Sequence, residues 1–128
     1  MTKRLLGSLA FAFSIGAPAW THHNMSALFD FNDVVTQSGN LSEIDWRNPH
    51  IYLFLDVGND DVSERWSFEG PPPGFFRNRD VDRETFEGFL GQAVTVVASH
   101  ARDGSASGLI REVTLPDGTV VSACPQNC

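Results

Sequence analysis

Residues 41 to 57 read Leu-Ser-Glu-Ile-Asp-Trp-Arg-Asn-Pro-His-Ile-Tyr-Leu-Phe-Leu-Asp-Val, a pattern of two apolar strands with a break between them. Before the break, charged residues alternate with Ile44 and Trp46, which predicts a strand with one mixed face. Pro49 cannot donate a hydrogen bond to a β ladder, so the first strand is expected to end at this residue. The second strand is apolar on both faces and is predicted to lie at the centre of a barrel or sandwich. His50 is its first residue and the most unusual one in the stretch.

The segments after this stretch supply the other predicted strands. Residues 58–61 have turn chemistry and lead into a return strand with Trp66 and Phe68 facing inward. Asp82 is a candidate N-cap for a short helix that ends before Gly91. The predicted elements are the return strand 63–69, the helix 83–90, and strands 93–100, 109–115 and 120–122.

This order of elements predicts an all-β fold with one short helix, a five- to six-stranded OB-like β-barrel. The helix between the third and fourth strands would close the open end of the barrel. A small β-sandwich is the alternative, and only the order of elements favours the barrel. Upstream, residues 22–33 are expected to form an extended arm, residues 34–36 a short strand, and Ser38-Gly39-Asn40 a turn.

The start of the chain has the pattern of a secretory signal peptide. Lys3 and Arg4 precede an uncharged run, and Ala17-Pro18-Ala19 offers a small-residue cleavage site. A membrane span would need roughly 20 apolar residues, and this run is shorter. Residues 1–21 are therefore predicted to be a signal peptide, cleaved after residue 19 or residue 21. One domain would follow over residues 22–122, with a tail over residues 123–128; an uncleaved N-terminal anchor is the alternative.

The chain is acidic, with 9 Lys and Arg against 16 Asp and Glu and a net charge of −7. Loss of Lys3 and Arg4 with the signal peptide would leave 7 basic against 16 acidic residues, or −9. An acidic surface repels the phosphate groups of nucleic acids. Non-specific nucleic-acid binding instead needs Lys and Arg side chains, which neutralise phosphates and release their counterions. We expect no nucleic-acid partner and no membrane span after signal removal. A metal ion or a periplasmic protein is the expected partner.

Both cysteines, Cys124 and Cys128, lie in the C-terminal tail. In an oxidising compartment a disulfide between them is the default prediction. It would close a very short loop and so add little stability. A thiolate metal pair is the alternative, and it would need a reducing or copper(I) setting.

Two adjacent aromatic residues, Phe75 and Phe76, follow a stiff proline-rich loop. If exposed, they would form a contact for a protein or glycan partner, together with Arg77 and Arg79. If buried, they would close the end of the barrel.

Several short motifs of the chain resemble those of a family of small secreted bacterial proteins of unknown function. These motifs are His22-His23, Trp46-Arg47-Asn48-Pro49-His50, Trp66-Ser67-Phe68-Glu69, Asp103-Gly104-Ser105 and Asp117-Gly118. The chain departs from the family pattern in two places: Trp20-Thr21 precede the His pair, and the cysteine tail is extra. The resemblance implies a periplasmic or secreted bacterial protein and implies no activity.

Three of the four histidines fall in these motifs: His22, His23 and His50. Imidazole is the commonest metal ligand and suits copper, zinc and nickel. Cleavage after Ala19 would place His22 third, where a terminal amine, two amides and an imidazole form the square-planar set that copper(II) prefers. Cleavage after Thr21 would place His22 first, where its amine and ring chelate copper and His50 completes a T-shaped brace. Both termini are competent for copper.

Other roles for these residues stay open. His50 could cap a strand end and bond a carbonyl, and a free His pair could bind copper without a biological role. Glu69 either neutralises a bound cation or pairs with Arg65, and His100 is expected at the surface. No nucleophile in a recognisable setting, phosphate loop or His-Glu-x-x-His motif is present, so an enzyme is not expected, although a copper redox activity stays open.

The sequence thus predicts a small periplasmic β-barrel binding protein that takes copper or another transition metal through His22, His23 and His50. The alternative is a non-metal interaction module that binds a protein or glycan through Phe75 and Phe76.

Overall fold

The computed structural model of this chain describes residues 24–59 and 61–124. The predicted signal peptide, the His22-His23 pair and Cys128 lie outside these residues. The signal peptide, the role of the His pair and the Cys124–Cys128 disulfide therefore stay predictions.

Strands make up 55% of the described residues, which confirms the all-β class. Three short helices are present in this part of the chain, where the sequence predicted one. The elements in chain order are α1 (Met25–Leu28), β1 (Phe29–Trp46), β2 (Ile51–Asn59), β3 (Val62–Glu69), α2 (Pro73–Arg77), α3 (Arg83–Glu87), β4 (Ala93–Ala101), β5 (Ser107–Thr114) and β6 (Val120–Ser122). None of the helices in the described ranges is long and apolar enough to cross a membrane.

The long strand β1 forms ladders with two different strands. From Phe29 to Asn40 it pairs antiparallel with β4. From Asn40 to Trp46 it pairs antiparallel with β2. β1 therefore passes from one partner strand to the other at Asn40.

The remaining ladders do not include β1. β2 with β3, β4 with β5 and β5 with β6 are antiparallel. β3 and β5 are parallel, with Ser67 opposite Ser107 and Glu69 opposite Leu109. The pairings therefore run from β1 through β2, β3, β5 and β4 back to β1.

The predicted turn at Ser38-Gly39-Asn40 is wrong, because β1 continues through these residues without interruption. A Cβ atom at Gly39 would lie 2.5 Å from the carbonyl oxygen of Asp56, which is closer than real Cβ contacts. Gly39 is thus the residue that lets β2 approach β1 closely where β1 changes partner. A glycine in a strand often marks such a close approach rather than a turn.

The inward faces of the strands form the apolar core. Ile51, Leu53 and Leu55 of β2 are fully buried, which agrees with the central strand predicted from the sequence. Trp66 and Phe68 of β3 also face inward as predicted, and their rings stack with centroids 5.7 Å apart.

The helices α2 and α3 place aromatic side chains over one end of this core. Trp46 contacts Phe76 of α2 and Phe86 of α3, with ring centroids 5.3 Å and 5.6 Å apart. Asp82 caps α3 as predicted, since its carboxylate accepts a hydrogen bond from the Thr85 amide at 3.0 Å. The helix ends at Glu87, with Gly88 as its C-cap, about one turn earlier than the sequence predicted.

Substitution of Gly39 by alanine tests the close approach of β2 to β1. The added methyl group would clash with the Asp56 carbonyl, so the backbone must shift. We expect a loss of about 1–3 kcal/mol in the free energy of unfolding, as for other overpacked sites. Chemical denaturation measures it.

Gly88→Ala is the matched control, since nothing lies within 4 Å of an added Cβ at Gly88. Equal stabilities of the Gly39→Ala and Gly88→Ala proteins would contradict the packing argument.

Candidate functional site

His50 lies directly before β2, because the strand starts at Ile51, one residue later than the sequence predicted. Two backbone hydrogen bonds fix its neighbours beside the end of β3. The Ile51 amide donates to the Pro71 carbonyl at 3.3 Å, and the Gly70 amide donates to the Ile51 carbonyl at 2.9 Å. The main chain around His50 is therefore held against residues 69–71.

The imidazole of His50 is oriented by a single backbone contact. Its Nδ1 atom lies 3.1 Å from the carbonyl oxygen of Gly70. We assign the ring hydrogen to Nδ1, because a carbonyl oxygen can only accept a hydrogen bond. In neutral His50 the lone pair then sits on Nε2, for which no hydrogen bond exists among the described residues.

Glu69 stands beside the same ring nitrogen. Its Oε1 atom is 3.6 Å from His50 Nδ1, and the side chains of His50 and Glu69 are only 24% and 13% exposed. The expected ion pair between Glu69 and Arg65 is not formed, because Arg65 pairs with Glu43 instead. Glu69 is therefore the carboxylate next to His50.

Tyr52 is the second residue of β2 and lies next to Glu69. The two residues are direct neighbours in the β2–β3 ladder. Burial raises the pKa of Tyr52 above its ordinary value of 10.0, and the charge of Glu69 and a hydrogen bond with its side chain raise it further. The Tyr52 hydroxyl thus stays protonated at neutral pH and serves as a partner for the Glu69 carboxylate.

A cleft of about 540 Å³ opens on Glu69 from the side of the N-terminal segment. Ala27 and Leu28 of α1 line one wall of this cleft, and Arg102 and Ser105 of the β4–β5 loop line another. Glu69 therefore links His50 to a cleft that the first described residues border.

His100 is less exposed than the sequence predicted, with 21% of its side chain accessible. Its Nδ1 lies 3.0 Å from Asp33 Oδ2, its Nε2 lies 3.1 Å from the Ser105 carbonyl, and its ring stacks on Trp66. Both neighbours accept hydrogen bonds, so the ring satisfies both only with a hydrogen on each nitrogen. A metal could bind His100 only if one of these bonds broke.

The aromatic pair Phe75 and Phe76 splits between surface and core. Phe76 is 1% exposed and packs on Trp46, so a partner could not reach it, and it closes the core as the alternative reading expected. Phe75 is half-buried, and the Arg79 guanidinium lies 3.7 Å from the centre of its ring. Phe76 therefore cannot belong to the partner surface that the sequence predicted from both rings.

Within residues 24–59 and 61–124, no three His, Cys, Asp or Glu side chains form a group that could hold a metal ion. Of the three predicted metal ligands, this part of the chain contains His50 and brings it next to Glu69. His22 and His23, the other predicted ligands, precede it. The sequence did not indicate the contacts of Tyr52, Arg102 and Asp33, because these contacts depend on strand register.

Tyr52 is the only tyrosine, so phenolate absorbance in an alkaline titration reports on this residue alone. We expect a titration midpoint above 10.0 in the folded protein. Because the folded pKa is raised, the linked stability is complete below pH 10.0 and is lost as the pH rises through the folded pKa. Tyr52→Phe should remove this alkaline loss.

Glu69→Gln should move the midpoint back toward 10.0, since it removes the carboxylate charge next to the phenol. Glu84→Gln, an exposed change in α3, is the control. An identical midpoint in the wild type and the Glu69→Gln protein would show that Glu69 does not act on Tyr52.

Comparison with known proteins gives the family of the chain and no named relative. A family model described as "Family of unknown function (DUF6152)" matches residues 11–112. No curated protein and no solved structure is significantly similar to the chain. Since the matched residues are most of the sequence, the chain belongs to this family of unknown function.

Proposed function

We propose that this protein binds a transition metal, with copper as the first candidate, through His50 together with His22 and His23. The observation that carries the proposal is the 3.1 Å contact between His50 Nδ1 and the Gly70 carbonyl oxygen. Histidine ligands of metals usually donate their other ring hydrogen to a carbonyl or a carboxylate, which fixes the tautomer and the ring orientation. Nε2 of His50 is the ligand atom in this proposal.

Two residues that are not proposed as ligands, Glu69 and Tyr52, support the role of His50. The Glu69 carboxylate is 3.6 Å from the same Nδ1 and adds negative charge to the ring, which strengthens Nε2 as a donor to a cation. Tyr52 lies opposite Glu69 in the β2–β3 ladder and places a phenol of raised pKa next to the carboxylate. Glu69 is thus assigned to orient the ligand and not to bind the metal itself.

The position of α1 supports the participation of the His pair. His23 directly precedes Asn24, where the described chain begins, and α1 follows at once. Ala27 and Leu28 of α1 border the cleft that contains Glu69. In the sequence, the His pair is therefore joined directly to the segment that borders this cleft.

We also propose a periplasmic or secreted location and an OB-like barrel as the scaffold. The signal-peptide pattern supports the location. The ladder circuit through β1, β2, β3, β5 and β4, with α2 and α3 between β3 and β4, supports the barrel. On this proposal the protein is a binding protein and not an enzyme.

Copper(II) titration followed by calorimetry tests the function on the mature protein, whose first residue is determined by mass spectrometry. We expect His50→Ala to weaken binding by roughly tenfold or more, because second-shell changes alone already cost 10–100-fold. His22→Ala/His23→Ala should have an effect of similar size. Glu69→Gln should weaken binding less than His50→Ala.

Glu112→Gln removes an exposed negative charge on β5 and controls for general attraction of cations. The shared site is refuted if His50→Ala binds copper as the wild type does, or if Glu112→Gln has as large an effect.

A further inference from the structure

His100, near the end of β4, joins two parts of the molecule that are distant in the sequence. Its Nδ1 atom lies 3.0 Å from Oδ2 of Asp33, and its Nε2 atom lies 3.1 Å from the Ser105 carbonyl oxygen. An ionised carboxylate and a carbonyl only accept hydrogen bonds. The arrangement therefore fits the imidazolium form of His100, since neutral imidazole carries one ring hydrogen and can make only one of the two bonds.

Asp33 belongs to a part of β1 that the sheet does not hold in register. The β1–β4 ladder has an irregularity between Asp30 and Val34, so residues 31–33 have no place in it. Only two ladder pairs, at Phe29 and Asp30, lie before this irregularity. The bond to His100 therefore joins an irregular part of β1 to β4 where backbone pairing does not.

Ser105 belongs to the β4–β5 loop, residues 102–106, which forms one wall of the cleft near α1. Arg102, Asp103 and Ser105 all line this cleft. Within the loop, the Asp103 carboxylate accepts a hydrogen bond from the Ser105 amide at 3.0 Å, and the Ser105 carbonyl accepts one from the Ser107 amide at 2.7 Å. The contact with His100 thus ties the middle of the cleft wall to β4.

The surroundings of His100 suit a cation. The charged groups around it are four carboxylates and one guanidinium: Asp30 and Asp33 of β1, Glu64 of β3, and Asp103 and Arg102 of the loop. Arg102 is already paired with Asp30. On β3 the ring of Trp66 stacks on His100 with centroids 5.7 Å apart, and an indole face attracts a cation. On β5 the uncharged Gly108 lies opposite His100.

Histidine is the side-chain type in this set that ordinarily changes charge between about pH 5 and pH 8. Hydrogen bonds from the side chain and the amide of Ser105 lower the pKa of Asp103, so this carboxylate is ionised wherever a histidine titrates. A change of pH in this range therefore acts on the ring of His100 while the neighbouring loop carboxylate keeps its charge.

We propose that His100 is a pH-sensitive switch, which bonds both Asp33 and Ser105 as an imidazolium and releases Ser105 as a neutral imidazole. The bond to Asp33 is kept, because a hydrogen bond to a carboxylate is stronger than one to a neutral carbonyl. With the hydrogen on Nδ1, the Nε2 lone pair faces the Ser105 carbonyl oxygen, and the two acceptors repel each other. The loop wall of the cleft is therefore held at acidic pH and released as the pH rises. The switch does not depend on the proposed metal site.

An NMR titration of the mature protein from about pH 5 to pH 8 tests the switch. The signals of the two His100 ring nitrogens report which of them carries hydrogen. We expect hydrogen on both nitrogens at the acidic end and on Nδ1 alone at the other end. Amide exchange, corrected for its intrinsic dependence on pH, reports the loop. Protection of the Gly104 and Ser107 amides should fall about tenfold over the same range, the equivalent of one hydrogen bond to a charged group.

Asp33→Asn separates the switch from a merely structural role of His100. The asparagine amide can donate to Nδ1 of neutral His100, so Nε2 can keep its hydrogen and its bond to Ser105. We expect His100 still to titrate in this variant, while loop protection no longer falls with pH. The fold should tolerate the change, because the side chain of Asp33 is 57% exposed.

His100→Gln should also abolish the pH dependence of loop protection, because glutamine does not titrate. Asp117→Asn is the matched control, an exposed aspartate whose carboxylate accepts a hydrogen bond from the Thr119 amide at 2.8 Å, and it should behave as the wild type. A single ring hydrogen on His100 at acidic pH overturns the switch. So does loop protection that is independent of pH in the wild type, or that falls as usual in Asp33→Asn. If His100→Gln does not fold, Asp33→Asn decides by the same measurements.

Discussion

The structure depends on one constraint: β1 must pair with β4 along its first part and with β2 along its last part. Both ladders include Asn40, so the two partner strands converge on the middle of β1. A side chain at Gly39 would collide with the Asp56 backbone at this point. The absence of a Cβ atom at one residue thus permits the ladders that place β2, and with it His50, next to the end of β3.

Several contacts of the candidate site follow from this arrangement. The β2–β3 ladder sets Tyr52 opposite Glu69, and residues 70 and 71 continue the pairing to Ile51. His50 therefore meets the carbonyl of Gly70, the first residue after β3, and the carboxylate of Glu69 at the end of β3. The parallel β3–β5 ladder brings Glu69 to the start of β5, so the same carboxylate also faces the cleft near α1.

Local patterns in the sequence were sufficient for the strands from β2 to β6 and for the cap at Asp82. Alternation and apolar runs express burial directly, so Leu53, Leu55 and Phe68 were identified as core residues. The error at Gly39 arose because a glycine that serves close packing looks the same as a glycine that serves a turn. The partners of Glu69 depend on the register of β2 against β3, and the distant pairs of His100 and Arg102 depend on the whole topology. No local sequence pattern indicates these long-range contacts.

The irregularity between Asp30 and Val34 also determines how the domain would respond to a pulling force at its N-terminus. Only the pairs at Phe29 and Asp30 lie before the irregularity, while seven pairs from Val34 to Asn40 follow it. Tension would be borne first by these two pairs and by the bonds of Arg102 to the Ser26 carbonyl and the Asp30 carboxylate, before it reached the longer ladder. The N-terminal segment would thus peel away while the core of the sheet stays closed.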